Sequence, residues 1–283
     1  MRFGKNIETS GKRSAPGLKG MSSWLLLCCL SALCFAGEVV IDDFSEPAGG
    51  PYTASSFGNQ DDIVTWTDTA QNPGTLGHYR DGAVRAWENE WWVWATSSAE
   101  ISSAELWGQC STSGNPDEHV HNLYLSYDGN SGWANGPDYQ ENPFNGTFSS
   151  PVDLTDQQTN DEIEFTFTGA GGITSPGSFF DEFRLTIREN EGENPRNYSR
   201  DLANGNGGVD DFLENNYAEL SNGEARAFTV SFDQLSGASF DDIEAIHLQI
   251  RTSDTGSFSL GRISTVPEPG LSVCALLAAL SIL

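Results

Sequence analysis

The chain has no lysine after Lys19 and few bases of any kind: 14 Lys and Arg stand against 40 Asp and Glu in 283 residues. Five of those bases (Arg2, Lys5, Lys12, Arg13, Lys19) and one acid (Glu8) fall in the first 36 residues. The remainder holds nine arginines against 39 acids, a formal charge of −30. A surface of that sign repels phosphate backbones and anionic lipid, which excludes nucleic-acid binding and a basic membrane patch. Cysteine is scarce too. Cys28, Cys29 and Cys34 lie near the N-terminus and Cys274 near the C-terminus, so Cys110 stands alone between them and no intramolecular disulfide can form in the body. There is no nucleophile elbow, HExxH helix, P-loop or dinucleotide fingerprint, and no catalytic residue is assigned. Apolar material is not lacking. At 37% hydrophobic and 11% aromatic the chain has an ordinary globular supply, which argues against disorder.

Residues 1–36 read as a secretory signal. Basic residues precede the apolar run from Trp24 to Phe35, and Cys34-Phe35-Ala36 ends in a small residue suited to cleavage before Gly37. A run of roughly twelve is too short for a membrane anchor, which needs about twenty. Leu33 before Cys34, and Cys28 before Cys29, spoil a lipoprotein site.

At the other end, Val266-Pro267-Glu268-Pro269 is followed by Gly270 and an apolar run from Leu271 to Leu283. Two prolines deny the chain a helix and hold it extended. Residues 266–283 resemble the PEP-CTERM sorting signal of Gram-negative bacteria. That resemblance implies an exosortase-type processing enzyme as partner and transient membrane association through the apolar segment. It further implies delivery to the bacterial cell surface or an exopolysaccharide matrix. The segment departs from the family pattern in two ways: its apolar run reaches only about 20 Å as a helix, and no Arg-rich tail follows. A chance VPEP before an unstructured apolar end is the competing reading.

Between these ends, residues 37–265 show a period of two. Candidate strands are 39–44, 63–67, 83–87, 91–96, 104–107, 122–127, 163–168, 183–188, 227–232, 243–251 and 257–263. Ile163-Glu164-Phe165-Thr166-Phe167-Thr168 alternates as a strand with one face in the core and one in water. Gly, Asn, Asp and Pro cluster between the runs as turn chemistry, and only 210–220 has helical character. Short strands in this number predict an all-β fold, a single antiparallel β-sandwich. A split into two domains near 142–151 is the alternative. The order of Val40-Ile41-Asp42-Asp43-Phe44, Leu125-Ser126-Tyr127-Asp128-Gly129, Val152-Asp153-Leu154-Thr155 and Phe240-Asp241-Asp242-Ile243-Glu244-Ala245-Ile246-His247-Leu248 resembles the jelly-roll bodies of PEP-CTERM proteins. This implies a jelly roll whose first and last strands are neighbours, and it implies no activity.

Three constellations bear on chemistry. Trp87, Trp91, Trp92 and Trp94 crowd into eight residues with Glu88 and Glu90. On one strand Trp92 and Trp94 share a face and Trp91 takes the other. Indoles beside carboxylates suit an extracellular polysaccharide, and indoles filling the core are the competing reading. Trp107 and Trp133 extend either. Asp128 and Asn130 in one Gly-rich loop, and Asp201, Asn204, Asn206 and Asp210 in another, supply oxygen ligands for Ca²⁺, against ordinary turn chemistry. His119 and His121 lie on one side of an extended chain, as metal ligands would, with His78 or Asp117 as a third; a solvated turn is the competing and favoured reading. The leading expectation is a non-enzymatic surface or matrix protein. A carbohydrate-binding module using the Trp-rich strand is the alternative, and a glycan-acting enzyme comes third.

Overall fold

The computed structural model describes residues 37–45, 49–58, 60–67, 71–88, 93–113, 119–130, 146–156, 160–190, 195–203 and 207–267. Among them are thirteen strands and one α-helix. The strands are β1 (Val40–Asp42), β2 (Gly49–Phe57), β3 (Asp61–Thr67), β4 (Asp81–Glu88), β5 (Trp94–Ser102), β6 (Glu105–Thr112), β7 (His119–Tyr127), β8 (Asn160–Gly171), β9 (Glu182–Glu189), β10 (Arg196–Asp201), β11 (Arg226–Ser231), β12 (Ile243–Thr252) and β13 (Gly256–Pro267). The helix is α1 (Val209–Ser221). A seven-stranded sheet runs β11-β8-β13-β6-β5-β2, with β1 also on β13, and a six-stranded sheet runs β10-β9-β12-β7-β4-β3. Every pairing is antiparallel. The chain is an all-β sandwich of jelly-roll type, and its first strand lies beside its last.

Alternation along the strands builds the core. Ile163, Phe165 and Phe167 of β8 point inward, as do Phe183, Leu185 and Ile187 of β9 and Ile246, Leu248 and Ile250 of β12. Their rings meet edge to face, Phe165 with Phe183 at 5.3 Å and Phe180 with Phe183 at 5.6 Å, the geometry that aromatic quadrupoles favour. Helix α1 adds Leu213 and Leu220 to this core, and its Phe212 packs on Phe167 and Phe228. At the opposite end Trp66 stacks on Tyr52 at 4.5 Å. Its indole lies over Gly82, where a β-carbon would come within 1.9 Å of the ring, so β4 must carry glycine there.

Two strands lie outside the sequence expectation. β2 (Gly-Gly-Pro-Tyr-Thr-Ala-Ser-Ser-Phe) turns Ala54 and Ser56 inward, too small and polar to show as an apolar alternation. β10 is an edge strand exposed along nearly its whole length, so it has no apolar face to display. The expected strand 91–96 is also corrected. β5 begins at Trp94, in the seven-stranded sheet, whereas β4 with Trp87 belongs to the six-stranded one. The Trp run therefore crosses between sheets. β13 extends past Thr265, pairing Val266 with Glu162 and Pro267 with Asn160, so the body's last strand takes in the first two residues of the expected sorting motif. Glu268 and Pro269 lie outside the described residues, as does the whole of residues 1–36.

A fully buried ion pair ties β1 into the sandwich. Arg80 Nη1 donates to both Asp42 oxygens, at 2.9 and 2.8 Å. The Phe44 amide (2.8 Å) and the Tyr127 hydroxyl (3.0 Å) donate to the same carboxylate, and Arg80 sits over the Phe44 ring. Burial pushes the Asp42 carboxyl up, and Arg80 leads the contacts that pull it back. Replacing Arg80 by Met strands a buried carboxylate and is expected to cost about 3–5 kcal/mol, whereas the Asp42→Leu/Arg80→Met double variant recovers most of that loss. Urea unfolding measures both. A double variant as unstable as the single one would show that the pair is not coupled.

Candidate functional site

The outer face of the six-stranded sheet is where polar chemistry collects. Register and alternation place Asp81, Ala83, Arg85 and Trp87 of β4 on it, next to Ser126, Tyr124, Asn122 and Val120 of β7. β12 adds His247, Gln249 and Arg251, and β9 adds Thr186, Arg184 and Glu182 in the same rows. An outward sheet face ordinarily exposes its side chains to water. Here Tyr124, Asn122, Ser126, His247 and Asp81 are all buried, at 2% exposure or less.

Tyr124 is the centre of this face. Its ring stacks on His247 at 6.0 Å. Burial pushes its hydroxyl above the usual tyrosine range, and Arg85 beside it pulls the other way. His247 is pushed down to about 3, first by burial and then by Arg184, so its imidazole stays neutral at physiological pH. The carboxylates here are engaged. Asp61 takes a two-pronged pair of bonds from Arg85, both 2.8 Å. Glu182 pairs with Arg184 and accepts from Gln249 Nε2 at 2.9 Å, and Asp81 accepts from Thr67.

Several donors are left over. Asn122 Nδ2, Ser126 Oγ, Arg188 Nε and Arg251 Nε are buried atoms with no hydrogen-bond partner in the structure, and all four side chains belong to this face. The nearest carboxylates to the two arginine Nε atoms stand at 3.7 Å (Glu244) and 3.9 Å (Asp181), beyond hydrogen-bond reach. A buried polar atom left unsatisfied costs about 1–3 kcal/mol, so four on one sheet face call for a reason.

The residues singled out from sequence are distributed as follows. Trp87 is on this face, cross-strand from Asp61 and Val120. Trp94 is on the outer face of the other sheet, and Trp91, Trp92 and Trp133 lie outside the described residues. Asp128 is buried; one oxygen accepts from the Asn130 amide at 3.1 Å, as in an Asx turn, and the other from the Gly146 amide, 18 residues along the chain, at 3.0 Å. Asp201 Oδ1 accepts from the Phe183 and Ala203 amides. Asn204 and Asn206 lie outside the described residues. No three His, Cys, Asp or Glu side chains gather as a metal site among the described residues. His121 turns into the core opposite Thr252. Sequence reasoning missed Tyr124, Asn122, Ser126, Arg188 and Arg251. The signal was present as a polar residue at every second position of Asn122-Leu123-Tyr124-Leu125-Ser126, matched by His247-Leu248-Gln249-Ile250-Arg251.

Asp210, at the start of α1, keeps one oxygen on the Phe180 amide at 3.0 Å, while its other oxygen is buried without a partner. Burial first, and the charges of Asp181 and Asp201 in addition, raise its carboxyl to about 6. A folded-state pKa raised above the unfolded value of 3.8 contributes stability that is full below pH 3.8 and is lost as pH rises through about 6. In chelator, Asp210→Asn is therefore expected to melt above the natural protein at pH 7, with the gain vanishing towards pH 4. If Asp210 holds Ca²⁺, adding calcium at pH 7 reverses the order, because metal binding stabilises only the protein that retains the ligand. Melting curves at both pH values, with and without calcium, read both effects.

No family model matches the sequence, and no curated protein matches it. The structure is similar to carbohydrate-binding modules of Clostridium thermocellum. One is a family 11 module in complex with a β-1,3-1,4-mixed-linked tetrasaccharide, 13% identical, with a TM-score of 0.30 over 83% of this chain and 98% of that one. Another is a family 30 module of a cellulosomal cellulase, 10% identical, with a TM-score of 0.32 over 82% of this chain and 99% of that one. At these TM-scores the likeness says nothing about what this chain binds.

Proposed function

We propose that this protein is an exported, non-catalytic carbohydrate-binding sandwich that takes a glycan on the outer face of the six-stranded sheet. The observation that carries the reading is the set of donors on that face without a hydrogen-bond partner: the buried Asn122 and Ser126, and above them the Nε atoms of Arg188 and Arg251, whose guanidinium side chains reach the surface at 21% and 42% exposure. Sugar hydroxyls are dense acceptors and donors on a rigid ring. Planar amide and guanidinium groups match pairs of them, and aromatic rings such as Trp87 stack on their C–H faces. Asp61, Glu182 and Asp81 are tied to Arg85, Arg184 and Thr67, which suits them to orient neighbours rather than to pass protons. The Val266-Pro267-Glu268-Pro269 motif and the apolar N-terminal run support export and sorting by an exosortase-type enzyme to the cell surface or an exopolysaccharide matrix. Protein recovered from the surface is then expected to begin at or near Gly37.

Residues kept for binding at a cost in stability give a recognisable pattern when replaced. Asn122→Val and Ser126→Ala remove unsatisfied buried atoms, so their melting temperatures are expected to equal or exceed that of the natural protein. Arg188→Ala and Arg251→Ala remove the donors that reach the surface; each lost sugar hydrogen bond is worth about 1.4 kcal/mol, so retention on polysaccharide should fall about tenfold per variant. Trp87→Ala is expected to weaken retention further through lost stacking. Affinity electrophoresis in soluble polysaccharides, set beside thermal melts, checks this. Reduced stability with unchanged retention would assign these side chains to structure alone.

A further inference from the structure

The seven-stranded sheet has an outer face of a different kind. Three of the four exposed large hydrophobic residues among those described lie on it: Phe57 at 51% exposure, Trp94 at 46% and Trp107 at 41%. Phe57 and Trp94 are direct cross-strand partners on β2 and β5. Six residues further along β5, Glu100 faces Trp107 on β6, which separates the two aromatic ends by roughly 20 Å at the rise of an extended strand. The lane between them is formed by Thr53, Ser55, Thr96, Ser98, Gln109 and Ser111. None of these six carries a charge; the charges that border the lane are carboxylates, Glu100 opposite Trp107 and Asp62, which accepts from the Ser55 amide at 2.7 Å.

Trp107 is held flat on the sheet. Its register partners are Ser259 on β13 and, beyond that, Gly169 on β8. A β-carbon at Gly169 would stand 3.5 Å from Cη2 of the indole. The ring therefore reaches across β13 onto β8, resting on a serine and a glycine with its other face in water.

We propose that this lane is a second glycan contact, for a neutral polysaccharide chain. Exposed aromatic rings at both ends offer stacking, and the hydroxyls and the Gln109 amide between them offer hydrogen bonds. The occupant is not anionic because the lane offers no base to pair with it, while Glu100, Asp62 and a body of −30 repel a polyanion; the uncharged lining suits a neutral chain. The same repulsion disfavours a second copy of this chain. The two outer faces of a sandwich point in opposite directions, so one molecule cannot close both on a single strand. Together with the six-stranded face it makes the protein bivalent, a cross-link between two glycan chains. The bivalence rests on the function proposed above; the second contact does not.

The test uses the exported protein with a panel of soluble neutral glucans, mannans and xylans, and with polygalacturonate. Co-sedimentation gives binding, viscosity gives cross-linking, and analytical ultracentrifugation gives oligomeric state. At least one neutral polysaccharide is expected to bind and to gain viscosity with added protein, and polygalacturonate is not. Trp107→Ala, a surface change, should abolish the viscosity gain and lower affinity through this face about tenfold, while binding through the six-stranded face persists. Arg251→Ala should also abolish the viscosity gain while Trp107-dependent binding remains. If Arg251→Ala leaves binding untouched and Trp107→Ala removes it, the second contact stands and the six-stranded face is not a glycan site. Unaltered binding and viscosity in both Trp107→Ala and Trp94→Ala would overturn the proposal. So would no binding across the neutral panel, a preference for polygalacturonate, or a dimer that dissociates on Trp107→Ala.

Discussion

A carboxylate and a guanidinium, neither with any exposed side-chain surface, hold the sandwich together where its two sheets meet the chain's first strand. β1 is three residues long, pairs with β13 through Val40 and Asp42, and adds one isolated bridge from Asp42 to Thr75. So short a strand makes too few ladder bonds to be secure alone. Asp42 compensates by drawing in Arg80, at the entrance to β4, and Tyr127, at the end of β7, both of which lead into the six-stranded sheet. One side chain of the seven-stranded sheet is thereby bonded to β7 of the other sheet and to the residue that precedes its β4. Desolvating such a pair is costly, and the contacts around it, including the Phe44 amide and ring, are what make the charged form tenable. The buried pair specifies which strand ends meet, a job that non-directional packing of phenylalanines cannot do.

Much of this architecture is legible in the chain. The alternation of 163–168 and of 243–251 marks two strands that traverse the core, and the absence of helical period elsewhere leaves α1 as the one helix among the described residues. The first and last strands do lie side by side, as the jelly-roll resemblance implied. The unread elements share a physical cause. β2 faces the core with alanine and serine, and β10 is an edge with water on nearly every side chain, so neither has an apolar face for a pattern to reveal. The Trp run misled for a different reason. Side-chain parity assumes one continuous strand, and the chain changes sheets between Glu88 and Trp94.

The candidate site was harder to see because it is assembled across strands. Asn122, Gln249 and Arg184 come from three strands that are distant in sequence, and nothing in their own neighbourhoods distinguishes them from solvated polar residues on a half-buried strand. Only the register places Arg251 beside Asn122 and Glu182, and only burial shows that these polar atoms lack water. The retrievable signal was a double one: polar residues at every second position in two separate strands, of kinds too bulky and too planar for a simple solvent face.

The scarcity of bases then acquires a structural sense. Of nine arginines after residue 36, Arg85, Arg184, Arg188 and Arg251 stand on the outer face of the six-stranded sheet. In a body with 39 acids this is the place where positive charge is concentrated, and each guanidinium has a carboxylate nearby: Asp61, Glu182, Glu244 or Asp181. The face is thus close to neutral while remaining dense in donors. Lysine would not serve there. Its ammonium is a compact, strongly hydrated point charge, whereas a guanidinium is planar, less hydrated and able to lie over Tyr124 or Asn122 while presenting several N–H groups in one plane. Charge that cancels locally and donors that do not are the conditions under which an uncharged, hydroxyl-rich ligand gains more from the surface than water does.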